Sequence, residues 1–183
     1  MRVAKAAVSV VVLGGLLLGG GSALAAATPS TPAGGSVRVF ATPTNGGNAT
    51  ILITGAVGDY GKALDINKNG TADPNGNYVK MMLHKGTFEV NSTTLNAKAN
   101  NAQPTVNKAT CSAVISVAAP VTVFNGTGLY TGIAGTVNIT ETYAFILPQF
   151  TSGKDKGQCN EGNNTQPIGQ YGSIVGTGTV SFS

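Results

Sequence analysis

Glu141 is the carboxylate whose neighbours give it the most chemical interest. From Val137 the side chains alternate, with Val137, Ile139, Glu141, Tyr143 and Phe145 on one face. Asn138, Thr140, Thr142, Ala144 and Ile146 take the other, the pattern of a pleated strand. A carboxylate on an apolar, buried face is costly to ionise, so its pKa rises towards the range used for proton transfer. Glu141 is therefore the candidate catalytic acid or base. Val137, Ile139, Glu141, Tyr143 and Phe145 together form a candidate ligand-binding wall. Two plainer arrangements stay open: a bulge that turns Glu141 outwards, or a place at the rim of the fold in water.

A second set of oxygens lies in Asp65-Ile-Asn67-Lys-Asn69-Gly70-Thr-Ala-Asp73. Side-chain oxygens at relative positions 1, 3, 5 and 9, with Gly at 6, match the front of an EF-hand-type calcium loop. Position 12, which should supply a bidentate Glu, is Gly76, and only two carboxylates are present. The stretch reads first as a polar turn-forming connector and only second as a calcium site, so no metal is favoured. His84 is the single histidine and alternates with Lys80 and Met82 on a face expected to meet solvent. No Ser–His–acid or Cys–His pair, zinc motif or phosphate-binding loop is evident, and no cofactor is expected.

The compartment follows from the first residues. Arg2 and Lys5 precede the uncharged apolar run Ala6–Leu18, and Ala23-Leu24-Ala25 supplies a small-x-small cleavage pattern. We therefore expect a signal peptide over 1–25, with cleavage as late as 27, a flexible leader over 26–35 and one domain over 36–183. The apolar run falls short of the ~20 residues of a spanning helix, so export rather than stable membrane insertion is expected. Losing Arg2 and Lys5 takes eleven basic residues to nine against seven acidic, a net of about +2. With one arginine, Arg38, and scattered lysines, the exported chain lacks the concentrated basic surface that nucleic acid needs. In an oxidising compartment Cys111 and Cys159, the only cysteines, are expected to pair. The closed loop is worth at most about 4 kcal/mol in the chain-entropy model.

These residues must be positioned by strands. Val37–Ala41, Ile51–Val57, Tyr78–Leu83, Thr87–Val90, Ala113–Ala119, Val121–Phe124, Val137–Leu147 and Ile174–Phe182 are short runs rich in Val, Ile, Thr or aromatics, separated by Gly, Asn, Pro or Asp. Asp59–Asn77, Asn91–Lys108 and Gln149–Gln170 read as long loops, and no helical periodicity follows the amino-terminal run. Seven or eight strands in one domain make an all-β sandwich or barrel, and the pattern does not choose between them.

Gly126, Gly128, Gly132 and Gly135, with Tyr130 among them, precede the longest strand pattern and suggest a sharp turn or a close backbone crossing. The pattern G-T-G-x-Y-x-G-x-x-G over these residues resembles the central hairpin of the allene oxide cyclase and dirigent proteins. The chain as a whole resembles a set of small secreted actinobacterial proteins of unassigned function. The resemblance covers about 30 residues and implies a closed antiparallel β-barrel of about eight strands. It also implies a largely apolar cavity in which a few polar groups steer a reactive intermediate to one product. The polar cavity residues of those families do not map onto positions here.

The expected function is a secreted β-barrel, extracellular or in the cell envelope, that binds a small apolar ligand or a surface partner without catalysis. The alternatives are a cyclase- or dirigent-like isomerase and a structural envelope protein. A homo-oligomer is left open.

Overall fold

The computed structural model describes residues 33–44, 46–162 and 164–183. The expected signal peptide and most of the leader lie outside them. Among the described residues, nine strands, one α-helix and a short 3-10 turn at Gly128–Tyr130 are found, in the order β1 (Gly35–Thr44), β2 (Asn48–Gly55), β3 (Asp59–Ile66), β4 (Tyr78–Leu83), β5 (Gly86–Asn91), α1 (Thr93–Asn101), β6 (Thr105–Asn107), β7 (Ser112–Phe124), the 3-10 turn, β8 (Ile133–Ile146) and β9 (Gly169–Phe182). Neighbours pair in the order β5-β4-β3-β2-β1-β9-β8-β7-β6, and β5 also pairs with β7. That last contact, Glu89 with Phe124, Val90 with Val123 and Asn91 with Thr122, closes the sheet. The fold is an eight-stranded antiparallel barrel, with β6 as a short extra strand beside β7. Closure removes both edges that an open sheet would present, and it sets the sandwich alternative aside.

Alternation puts the apolar residues inside. Val37 and Val39, Ile51 and Ile53, Val121 and Val123, and Val137 and Ile139 are all buried in one core. In register, Val121 faces Val137 and Ala119 faces Ile139, so β7 and β8 present matched apolar pairs to the interior. Each fully buried Val or Ile contributes about 1.5–3 kcal/mol relative to exposure.

Several expectations are corrected. The stretch Asp59–Asn77 is not one loop, because its first eight residues are β3. The inward positions of β3 are Asp59, Gly61, Ala63 and Asp65, acids and small residues, so the strand carries no apolar alternation to read. Asn91–Lys108 likewise contains α1 and β6. Only Leu95 of α1 is buried, which leaves no apolar stripe at helical spacing. The runs on either side of Pro120 are one strand, β7. Pro120 falls between the part of β7 that pairs with β5 and the part that pairs with β6, where one flank has no strand partner. A residue without an N–H is tolerated there. Helix α1 packs on β7 near that gap, and Lys98 Nζ donates to the Ala118 carbonyl at 2.8 Å.

Strands β7, β8 and β9 outrun the barrel. β8 and β9 pair as far as Ile146 with Gly169, whereas the pairing of β1 with β9 stops at Ala41 with Ile174. The extension is tied down by the disulfide Cys111–Cys159, with Cα atoms 5.3 Å apart. Cys111, Leu147 and Cys159 form a second small core with Val106 and Phe145 against it.

Candidate functional site

The two ends of the barrel are built from different chemistry. One end collects the β2–β3, β4–β5 and β7–β8 connections. Tyr130, from the glycine-rich segment, is 0 % exposed there and meets Phe88 edge to face at 5.5 Å. Its hydroxyl donates to Asp59 Oδ2 at 2.6 Å. Asp59 is 5 % exposed and also accepts from the Lys85 amide at 2.9 Å and the Tyr60 amide at 2.8 Å. Burial pulls its pKa upwards, but the Tyr130 hydroxyl and the two amides, helped by the Lys85 charge, outweigh that and hold it below the ordinary value. Burial and the Asp59 carboxylate push the Tyr130 hydroxyl well above the usual phenol range.

The glycines make this closure feasible. A Cβ on Gly126 would run into the Tyr130 carbonyl, and Gly128 and Gly132 have φ of +62° and +77°. Thr127 accepts the Thr87 amide at 3.1 Å and Leu129 donates to the Lys85 carbonyl at 2.9 Å, stitching the segment across the barrel floor. The turn and the close crossing expected from the glycines are both present. His84 stacks on Tyr60 at 4.0 Å outside this floor, its side chain 57 % exposed.

Above the floor the interior is hollow. A cavity of about 220 Å³ runs up the barrel, walled by residues such as Val39, Ile51, Met81, Val90, Val121 and Ile139. Gly176 helps to seat one wall, since a Cβ there would meet the Ile139 side chain. Towards the other end the lining turns polar: Thr44, Asn48, Asp65, Ser92, Asn96 and Glu141. These come from the β1–β2 turn, β3, the start of α1 and β8.

Glu141 therefore lies on the inward face, opposite Val117 of β7 and Ile174 of β9. Burial raises its pKa above the ordinary carboxylate value. Asp65 is raised to about 6, first by burial and then by the charges of Glu141 and Asp73. No hydrogen bond or salt bridge from another described residue reaches either carboxylate. Ser92, 4 % exposed, carries a buried hydroxyl with no hydrogen-bond partner. It sits at the amino end of α1 but does not cap it; Asn91 Oδ1 accepts the Thr93 amide instead, at 3.0 Å.

Of the candidate wall, Val137, Ile139 and Glu141 line the cavity. Tyr143 and Phe145 do not. They continue the same alternation into the β7–β9 extension, stack on each other at 5.3 Å, and Phe145 packs against the disulfide cluster. Tyr143 donates its hydroxyl to Gln170. The strand is longer than the barrel, and the pattern of β8 does not mark where one ends.

The calcium-like spacing is divided by the fold. Asp65 is the next-to-last residue of β3 and lines the cavity. Asn67 Oδ1 accepts the amides of Asn69 and Thr71, both at 3.1 Å, Asn69 Oδ1 accepts that of Thr71, and Asp73 Oδ1 accepts that of Asn75. Asn67, Asn69 and Asp73 thus shape a turn, while Asp65 belongs to the cavity. Sequence reasoning missed Asp65 as a partner of Glu141. The only available signal was the inward phase of Asp59, Gly61, Ala63 and Asp65, which lacks an apolar member large enough to read.

Outside the barrel, Tyr60, Leu52, Phe40 and Val175 stand in register across β3, β2, β1 and β9, all exposed. This row is one apolar stretch of the outer surface; Val114, Ile146, Phe150, Ile168 and Tyr171 are also exposed. Comparison with known proteins adds no family to these observations: no family model matches the chain, and neither a curated protein nor a solved structure matches it.

Proposed function

We propose that this protein is an exported binding barrel that takes a small, mainly apolar molecule into its interior without transforming it. The cavity carries this reading. An eight-stranded barrel either fills its interior or holds one small ligand, and this one leaves about 220 Å³ between apolar walls. An engineered apolar cavity of roughly 150 Å³ is enough for benzene, so the space here suits a single-ring or short-chain body. The apolar leader pattern before residue 26 and the disulfide support an exported setting.

Toluene at saturating concentration should raise the melting temperature, because a ligand that binds only the folded state stabilises it. Ala49 lines the cavity, and Ala49→Phe should abolish the rise while leaving the near-ultraviolet circular dichroism unchanged. No rise in the wild type, or an equal rise in a folded Ala49→Phe variant, overturns the reading.

A second reading, a cyclase- or dirigent-like protein that steers a reactive intermediate, draws support from the Asp65–Glu141 pair. Two carboxyl groups in one cavity, both raised by burial and Asp65 to about 6, are suited to hold and release a proton. Offered a short-lived unsaturated epoxide, such a protein would return one enantiomer of the cyclised product, and Glu141→Gln would return the racemate. A racemate from the wild type excludes it for that substrate class.

A further inference from the structure

The polar end of the cavity is acidic, and no Lys or Arg is among the described residues that line it. Asp65 from β3 and Glu141 from β8 reach the same space from different sides of the barrel. The charged groups acting on Asp65 are Glu141 and Asp73, both acidic. Beside them Ser92 contributes a buried hydroxyl with no partner, released from helix capping because Asn91 performs that task. A buried polar group without a partner is destabilising, and two neighbouring carboxylates without a cation add mutual repulsion. Two carboxylates with no hydrogen-bond partner among the described residues line one end of an apolar cavity that Ser92 also lines, a setting suited to a group that is cationic and donates several hydrogen bonds.

We propose that the cavity ligand is a small apolar amine, bound with its hydrocarbon body in the barrel and its ammonium group among Asp65, Glu141 and Ser92. This rests on the cavity-binding reading above and assigns the ligand's chemical class. A primary ammonium has three N–H donors, enough for the two carboxylates and the Ser92 oxygen. Charge-assisted hydrogen bonds of this kind are about twice as strong as neutral ones. The same geometry selects against carboxylic acids, because an anionic head would meet two acidic groups in a site of low dielectric. A neutral alcohol fills the cavity equally well and recovers only part of the polar interaction.

Three ligands of matched shape separate the assignment from the reading beneath it: 2-phenylethylamine, 2-phenylethanol and 3-phenylpropanoate, titrated calorimetrically at pH 7.5. The amine should bind at least tenfold tighter than the alcohol, and the acid should bind weakest. The double variant Asp65→Asn, Glu141→Gln should bring the amine to within threefold of the alcohol, which should still bind. Saturating amine should also lower the apparent pKa of Asp65 from about 6, followed by carboxyl-carbon NMR. Equal binding of amine and alcohol, or preference for the acid, overturns the amine assignment and leaves the cavity reading standing. Binding of none of the three overturns both.

Discussion

The floor of this barrel holds a buried carboxylate, Asp59, and the mouth a half-buried one, Asp65, and the two are handled in opposite ways. At the floor Asp59 accepts three hydrogen bonds, from Tyr130, Lys85 and Tyr60, and stays ionised below the ordinary carboxylate range. At the mouth Asp65 accepts none from a described side chain or amide, faces a second acid in Glu141, and is raised to about 6. Both lie on the inward face of β3, six residues apart, so strand geometry does not distinguish them. The surrounding donors do. A carboxylate that is fully hydrogen-bonded acts as a structural anchor, whereas one that is left short of donors remains available for a ligand.

The largest effect should come from breaking the floor. Tyr130→Ala removes a fully buried ring and a partner of Asp59, and should cost about 3–5 kcal/mol in chemical denaturation. Tyr130→Phe keeps the ring and removes only the hydroxyl, so it should cost about 1–3 kcal/mol. Loss near zero for Tyr130→Phe would mean that the floor carboxylate does not depend on this bond.

The next effect sits in the extension beyond the mouth. Replacing both cysteines by serine should lower stability by about 2–4 kcal/mol through the loop that the bond closes. The barrel and its cavity should persist, because the cluster of Cys111, Leu147 and Cys159 is separate from the main core. Toluene binding tested on the double variant checks that separation, and loss of binding would show that the extension shapes the mouth. Intact-mass measurement of the wild type after alkylation without reductant should find no free thiol.

The smallest effect has the most direct bearing on the comparison, because it is a pH dependence of opposite sign at the two ends. Asp65 is raised in the folded state from 3.8 to about 6. The folded chain then holds a proton that the unfolded chain has already lost, so stability falls as pH rises between those values. Water reaches this half-buried group, which limits the fall to about 1–2 kcal/mol. Asp59, lowered in the folded state, works the other way, and its stabilisation is lost as pH drops below the ordinary carboxylate range. Denaturation midpoints measured from pH 3 to pH 8 should show the fall between pH 4 and pH 6 in the wild type and a smaller one in Asp65→Asn, where the raised Glu141 remains. An unchanged profile in Asp65→Asn would place the titration elsewhere.

Much of this was written in local pattern. Val37–Ala41, Ile51–Val57, Val121–Phe124 and the run from Val137 alternate plainly, because one face of each strand is apolar and buried. The glycines around Tyr130 announced a tight crossing, since only a residue without Cβ fits at Gly126. The two cysteines announced their bond through their number and the compartment expected from the first residues. Glu141 on an apolar face was legible for the same reason as the strand itself.

Tertiary structure decided what stands opposite Glu141. In sequence Asp65 is grouped with Asn67, Asn69 and Asp73, and its local spacing suggests a cation loop. Pairing of β3 between β2 and β4, and closure of β5 onto β7, turns Asp65 inwards and brings it round to the mouth that β8 reaches from the other side. The same closure ended the cavity wall at Glu141 and left Tyr143 and Phe145 to the extension. A side chain's face is a two-residue periodicity and can be read locally. Its partner across a closed barrel depends on strand order and register, which are long-range properties that no short stretch of sequence contains.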